Sequence, residues 1–307
     1  MRFVVTGGAG FIGSHIVDSL AGLGNDVIIF DNFISGRKEN IAHLKENKKI
    51  KVIHGSITDL AILRAACESA DGIFHEAAIA SVQQSLQNPL RTHETNATGT
   101  LNVLLAARDA GVKKIVSASS AAVYGDNPIL PKHEEMIPEP LSPYAVSKIT
   151  GEYYCSVFSR LYGLKTVSLR YFNVYGPRQD PRSEYSGVIS KFIMQAILGK
   201  PITIYGDGEQ TRDFIFIDDV VTANIHAMER DVQGIFNIAS GRETSLNKLE
   251  ELVTSVSGTK VPVIYEPPRS GDIRKSLADI SRARKRLGFE PEYTITKGLE
   301  HTISALR

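Results

Sequence analysis

Cysteine is nearly absent from this chain of 307 residues: Cys67 and Cys155 are the only two. They are too few for a disulfide framework or a zinc cluster, so a reducing compartment is expected. Charge of one sign is also missing. Lys and Arg number 35 against 34 Asp and Glu, a net charge of +1. Without a basic surplus nothing drives the chain to coat nucleic acid or dock on an anionic membrane. No apolar run reaches the ~18 residues of a membrane-spanning helix. The stretch from Met1 to Thr6 is too short for the apolar core of a signal peptide. There is no internal repeat and no low-complexity tract. His15, His43, His75, His93, His133, His226 and His301 form no i,i+4 or carboxylate-linked ligand set, so no metal site is expected. A cytoplasmic protein acting on a small molecule is the class left.

What is present is an ordinary globular composition, 42% hydrophobic and 22% charged. The length suits two domains, or one large α/β domain with a lobe. Short β-branched runs at Phe3–Val5, Val27–Phe30, Lys51–Ile53, Gly72–Phe74, Lys114–Ser117 and Thr166–Leu169 read as strands. Helical patterns lie between them, among them Phe11–Leu23, Asp59–Ala66, Asn96–Ala110 and Tyr144–Tyr162. Most of the strands are apolar without alternation, as in a parallel sheet covered on both faces. Repeated strand–helix units predict a doubly wound α/β sheet over residues 1–172. Beyond it the rhythm loosens and Pro and Gly punctuate shorter elements. Residues 173–307 are expected to form a smaller C-terminal lobe, with some segments returning to the first sheet.

The stretch Thr6-Gly7-Gly8-Ala9-Gly10-Phe11-Ile12-Gly13 follows a strand and opens a helix. Gly8, Gly10 and Gly13 fit G-x-G-x-x-G; Gly7, Gly10 and Gly13 fit a looser G-x-x-G-x-x-G. Either register allows a tight turn and a close approach of backbone to a diphosphate at a helix N-terminus. The acidic residue expected about 20 residues further on is Asp31. Its carboxylate can accept from a ribose 2′-hydroxyl and would repel a 2′-phosphate, which favours NAD over NADP even with Arg37 and Lys38 nearby.

Tyr144 and Lys148 form a Y-x-x-x-K pair, on one face of a helix that Pro143 helps to start. A phenol of pKa near 10 is a poor base at neutral pH. A neighbouring ammonium and an oxidised nicotinamide would both lower that value. Ser119 and Ser120 lie upstream at the end of a strand, where ligands bind in open α/β sheets.

Together the glycine turn, Asp31, the serines before Val123-Tyr124-Gly125, and Tyr144 with Lys148 resemble the extended short-chain dehydrogenase/reductase family. Within it the chain is most similar to nucleotide-sugar epimerases of the UDP-glucose 4-epimerase type. Tyr171-Phe172-Asn173-Val174-Tyr175-Gly176-Pro177, Gln210-Thr211-Arg212-Asp213-Phe214 and Pro268-Arg269-Ser270-Gly271-Asp272 carry the resemblance through the rest of the chain. It implies a Rossmann-like sheet with NAD bound by Gly7, Gly10, Phe11, Ile12 and Gly13, by Asp31, Asn32, Ser35 and Gly36, and by Ser56 and Ile57. Ala77, Ala78, Asn96, Tyr144, Lys148 and Tyr171 would complete that pocket. Tyr144 would be the acid/base, Lys148 would depress its pKa, and Ser120 would hold the sugar 4-oxygen with Ser119 as a stand-in. Asn173, Arg212 and Arg269 would hold the diphosphate and Asp272 the uridine ribose. Val188 and Tyr205 would be among the substrate contacts, and Ser276 would border the sugar C2. Ser56 replaces the aspartate usual in the family, and the stretch Ala77–Val82 lacks a lysine that some epimerases carry.

Sugar dehydratases of the family carry an Asp-Glu pair where this chain has Ala121 and Ala122, and related decarboxylases usually carry a Glu there. Alanines move no proton, which leaves hydride removal and return at one carbon. Open alternatives are a UDP-glucuronate epimerase or decarboxylase of the same fold, and a non-catalytic NAD-binding sensor. The resemblance also implies a homodimer built on the Asn96–Ala110 and Tyr144–Tyr162 helices.

Overall fold

The computed structural model describes residues 1–180, 187–268 and 273–306. Strand β1 (Arg2–Thr6), helix α1 (Phe11–Gly22) and strand β2 (Asp26–Asp31) form the first parallel crossover unit. Strand β3 (Ile50–His54), helix α2 (Leu60–Cys67) and strand β4 (Gly72–His75) follow. The Asp59 side chain caps α2 by accepting from the Ala61 and Ile62 amides. Two short helices, α3 (Val82–Gln87) and α4 (Pro89–His93), then run through a π-helical turn at Glu94–Thr98 into α5 (Gly99–Asp109). The regular helix expected over 96–110 is therefore broken at its start. Asn96 sits inside the wide turn, its amide tied to neighbouring elements, and such π turns often mark functional positions.

Strand β5 (Lys114–Ser120), helix α6 (Pro143–Tyr162) and strand β6 (Lys165–Tyr171) complete the first half. Ser142 caps α6, Pro143 occupies its first turn, and Gly163 at φ 68° ends it. The second half contains β7 (Asn173–Tyr175), α7 (Val188–Ile197), β8 (Ile202–Tyr205), β9 (Thr211–Phe216) and α8 (Ile217–Glu229). It continues through β10 (Gly234–Ile238), β11 (Glu243–Ser245), α9 (Leu246–Ser257), β12 (Val263–Glu266), α10 (Ser281–Leu287) and α11 (Ile295–Ser304).

Seven strands form one parallel sheet in the order β10–β6–β5–β4–β1–β2–β3. The order of succession reverses between β1 and β4, with β2 and β3 laid down on one side and β5, β6 and β10 on the other, which creates the crevice at the strand carboxyl ends where α/β sheets bind ligands. Side chains alternate between two buried faces. Phe3, Val5, Phe74, Val116, Val167 and Leu169 pack towards α1 and α8. Val4, Ile73 and Ile115 face Leu63 of α2, Val103 and Leu104 of α5, and Cys155 and Phe158 of α6. Full burial of such a side chain contributes about 1.5–3 kcal/mol, so each layer is held chiefly by this apolar contact.

The second half adds a small sheet, β11–β9–β7, and a parallel pair, β12–β8. Helix α8 and strand β10 return to the large sheet. Ile189, Phe192, Ile202, Leu249 and Leu299 belong to the same continuous core as Phe3 and Val5. Among the described residues, much of the lobe's apolar interior is thus continuous with that of the first sheet.

Candidate active site

The glycine turn lies between the carboxyl ends of β1 and β4. Gly7 has φ +68°, and a Cβ there would fall 2.7 Å from the Ala77 backbone nitrogen. At Gly13 a Cβ would meet the Gly7 carbonyl oxygen at 2.2 Å, so helix and turn touch backbone to backbone. A Cβ at Gly8 would press on the Val5 carbonyl at 2.9 Å, on the sheet side. The two registers thus divide the work: Gly7, Gly10 and Gly13 shape the cradle, and Gly8 packs it down. Gly10 donates to Gly7 O at 2.9 Å and caps α1 without a side chain, which leaves the helix start open to an anion.

Asp31 ends the neighbouring β2. Its carboxylate accepts from Ala9 N at 2.9 Å and from Phe33 N at 2.7 Å. The loop through Asn32, Ser35 and Gly36 wraps it closely, since a Cβ at Gly36 would fall 2.7 Å from either carboxylate oxygen. At the end of β3, Ser56 pairs with the Thr58 hydroxyl at 2.7 Å, and Ile57 is buried below it. The turn, Asp31, Ser56 and the Ala77-Ala78 segment therefore share one edge of the sheet. A dinucleotide fits this cradle: bare backbone for the diphosphate and a fixed acceptor for the adenosine ribose.

Across the crevice stands α6. Tyr144 and Lys148 lie on its first turns, fixed by the Ser142 cap on Ala145 N at 3.2 Å. The Tyr144 hydroxyl is hydrogen-bonded to Ser120. Burial pushes the phenol above its ordinary value, the Ser120 bond opposes this, and the charge of Glu76 adds to it. Lys148 donates to Ala118 O at 2.9 Å, with its nitrogen 6.0 Å from the Tyr144 ring centre. Burial brings the Lys148 ammonium down to about 8, against the charges of Glu76 and Glu152.

Ser119 does not share the place of Ser120. Neighbouring strand residues face opposite ways, and the Ser119 hydroxyl donates to Glu152 Oε1 at 2.5 Å. The expected stand-in role is corrected: Ser119 belongs to a buried network under helix α6. There Arg170 donates to Glu152 at 2.8 and 2.7 Å and lies over the Tyr124 ring at 4.7 Å.

Asn96 joins several elements. Its amide exchanges bonds with the Ile79 backbone at 2.8 and 3.1 Å and donates to Ser147 of α6 at 3.0 Å. The line continues inward. Thr100 donates to Asn96 O at 2.5 Å, and the His75 ring bonds Thr100 at 2.9 Å and Thr6 at 2.8 Å. Since Thr100 spends its proton on Asn96, it accepts from His75 Nε2–H, and Thr6 donates to His75 Nδ1. His75 is thus a neutral core histidine, its pKa brought down to about 3 by burial and by Lys148.

Glu76 is a site residue that the sequence reading passed over. It follows β4, and Tyr171 at the end of β6 donates to it at 2.9 Å. Burial brings its carboxyl up to about 7, opposed by the Tyr171 bond and by Lys148. A lone Glu between His75 and two alanines gave no spacing signal.

On the lobe side, Asn173 donates to Asp213 O at 3.1 Å. Arg212 Nη1 donates to Thr211 O at 2.8 Å and Ile273 O at 2.6 Å. Asp213 is buried and gathers the amides of Ser240, Gly241 and Ala278, which tie β9 to two loops. Val188 opens α7 and Tyr205 closes β8. Ser276 is half-buried on a segment held at Arg274 by Thr211 N and at Ala278 by Asp213, while Lys275 is exposed. Arg269 and Asp272 lie outside the described residues. Among the described residues no cluster of His, Cys, Asp and Glu is built to hold a metal ion, and no helix is long and apolar enough to cross a membrane.

Residues 3–239 match the model of the NAD dependent epimerase/dehydratase family. The chain belongs to this family, and its cofactor is NAD. It is 40% identical over 306 residues to a putative UDP-glucose 4-epimerase of Methanocaldococcus jannaschii, covering 99% of this chain and 98% of that one. Its structure is similar to UDP-glucose 4-epimerase from Thermotoga maritima solved with UDP-glucose, at TM-score 0.95 and 41% identity, over 100% of this chain and 99% of that one. It is also similar to UDP-N-acetylglucosamine 4-epimerase from Methanobrevibacter ruminantium solved with UDP-N-acetylmuramic acid. There the TM-score is 0.96 and the identity 42%, over 99% of this chain and 97% of that one.

Proposed function

We propose that this protein interconverts UDP-hexoses that differ in configuration at C4, UDP-glucose and UDP-galactose foremost. The observation that carries the reading is the grouping of Tyr144, Lys148 and Ser120 beside the glycine cradle, followed by Ala121 and Ala122. Bound NAD supplies the hydride acceptor and donor for sugar C4. Tyr144 takes the 4-hydroxyl proton as the C4–H bond breaks, with Ser120 holding the 4-oxygen. Lys148 favours the phenolate through its charge and reaches towards the cofactor ribose. The 4-keto sugar then turns over about its diphosphate, anchored near Asn173 and Arg212. Tyr144 gives the proton back to the other configuration. With alanines at 121 and 122, no adjacent side chain serves proton transfer at C5 or C6.

The test is incubation with UDP-glucose, UDP-galactose, their N-acetyl counterparts and UDP-glucuronate, followed by chromatography. Appearance of the C4 epimer of a hexose supports the reading. Release of carbon dioxide and a UDP-pentose from UDP-glucuronate would replace it with the decarboxylase alternative.

The protein is proposed to work as a homodimer. Val146, Tyr153, Val157 and Leu161 form an exposed apolar stripe along α6, and Leu86 and Leu90 extend it on α3 and α4. Helix α5 turns Val103, Leu104, Ala106 and Ala107 inward, so the stripe lies on α6 and its α3–α4 neighbours. A stripe at helical spacing suits packing against the same face of a second copy. Sedimentation equilibrium of Leu161→Glu against the unaltered chain tests it, with dissociation as the expected result.

A further inference from the structure

Glu76 is a half-buried carboxyl that follows β4 in the crevice, and the chemistry above leaves it without a role. Its backbone closes against the cradle: Glu76 N donates to Thr6 O at 3.1 Å, and its carbonyl carbon lies 2.9 Å from where a Gly7 Cβ would be. Its side chain turns towards the opposite wall. Tyr171 of β6 donates to Oε1 at 2.9 Å, and Asn224 of α8 donates to the same Tyr171 hydroxyl at 2.8 Å. The same hydroxyl also lies 3.1 Å from Asn224 Oδ1, so Tyr171 bridges the carboxylate and the Asn224 amide. The β4–β5 register, with His75 opposite Ser117, brings Glu76 level with Ala118, whose carbonyl accepts from Lys148 of α6 at 2.9 Å; Lys148 and Tyr144, one turn before it, are the titratable groups of α6 that feel the Glu76 charge. Glu152, one turn beyond Lys148, acts on that ammonium from the other side but is neutralised by Arg170.

We propose that Glu76 is a positioning residue for the proton-moving pair: its carboxylate, held by Tyr171, is the counter-charge that keeps Lys148 an ammonium beside Tyr144. A phenolate at Tyr144, an ammonium at Lys148 and an oxidised nicotinamide together carry one positive charge, and Glu76 brings the set to neutrality. After hydride and proton have left the sugar, Tyr144 and the nicotinamide are neutral and Lys148 and Glu76 still cancel. Both ends of the reaction thus keep a balanced charge in a buried place, where an uncompensated ion is costly. This rests on reading Tyr144 and Lys148 as the proton-moving pair.

The test compares Glu76→Gln, which keeps an acceptor for Tyr171 but loses the charge, with Glu76→Asp, which keeps the charge. The first readout is tyrosinate absorbance of the NAD-containing enzyme across pH, with Tyr144→Phe subtracted. The second is the pH profile of kcat. Removing one negative charge makes every nearby deprotonation easier, so in Glu76→Gln both apparent transitions should fall, by about one pH unit. The shift should be largest above pH ~7, where the carboxyl is charged. Glu76→Asp should return both towards the unaltered enzyme. If the Gln variant does not fold, Tyr171→Phe strips the carboxylate of its donor and should shift both transitions the same way. Transitions that superimpose on those of the unaltered enzyme, whatever the value of kcat, would overturn the proposal. The absorbance titration needs no sugar, so it can fail while the choice of substrate stands, and the reverse.

Discussion

Glu152→Ala should destabilise the fold far more than the loss of a typical buried carboxyl contact. Glu152 accepts two bonds from Arg170 and one from Ser119, and each partner of the ion pair is only 1% exposed at its side chain. Burial works against the Arg170 charge, and Glu152 more than restores it. With the carboxylate gone, Arg170 is left with Tyr124 as a partner, and its Nη1 already lacks a hydrogen-bond partner. Breaking a buried pair from one side costs about 3–5 kcal/mol. At roughly 2–4 °C per kcal/mol for a domain somewhat smaller than this one, Tm should fall by roughly 6–20 °C. The assay is calorimetry at fixed NAD concentration. Ser119→Ala is the internal control: one lost bond costs about 1 kcal/mol, and kcat should stay within a few-fold because Ser119 does not face Tyr144. The double change Glu152→Leu with Arg170→Met should recover much of the lost stability, since an apolar pair of similar volume carries no stranded charge. A Tm loss under about 3 °C for Glu152→Ala, or a double variant no more stable than the sum of its singles, would refute the reasoning.

Tyr144→Phe should lower kcat by about 10²–10⁴-fold while UDP affinity, measured by calorimetry, changes little; near-normal turnover would require another base. Denaturing the purified protein should release NAD and not NADP, because Asp31, fixed by Ala9 N and Phe33 N, would repel a 2′-phosphate; mass analysis of the released cofactor decides this. Ser276→Tyr should reduce kcat/KM for the N-acetyl sugars about 10–100-fold and spare the plain hexoses, since overfilling a packed site costs ~1–3 kcal/mol. An unchanged preference would mean that Ser276 does not border the sugar C2.

The sheet was legible because most of its strands are apolar runs and the helices α2 and α6 are bounded by capping residues. Asp59, Ser142 with Pro143, and Gly163 mark the boundaries in plain letters. Asp31 and the Y-x-x-x-K pair were equally visible, since each is a fixed spacing on one element. The sequence could not separate Ser119 from Ser120. Adjacent strand residues point to opposite faces, and which one meets Tyr144 depends on the register of β5 against α6. Glu76 was hidden for a similar reason: its significance comes from Tyr171, far along the chain and two strands away in the sheet. The π turn around Asn96 had no signature either: the Asn96 amide bonds Ile79 and Ser147, neither of them its neighbour in the chain.

The polar line from Thr6 through His75, Thr100 and Asn96 to Ser147 has a dynamic consequence. It crosses from β1 to α6 without leaving the protein interior. Every link is a neutral hydrogen bond that water could replace only if the layers between parted. Amides of the glycine turn and of the first turns of α6 should therefore exchange with solvent as one cooperative unit. A cofactor held in such a unit escapes only when the whole unit opens, which suits an enzyme that reuses the same NAD molecule from one turnover to the next.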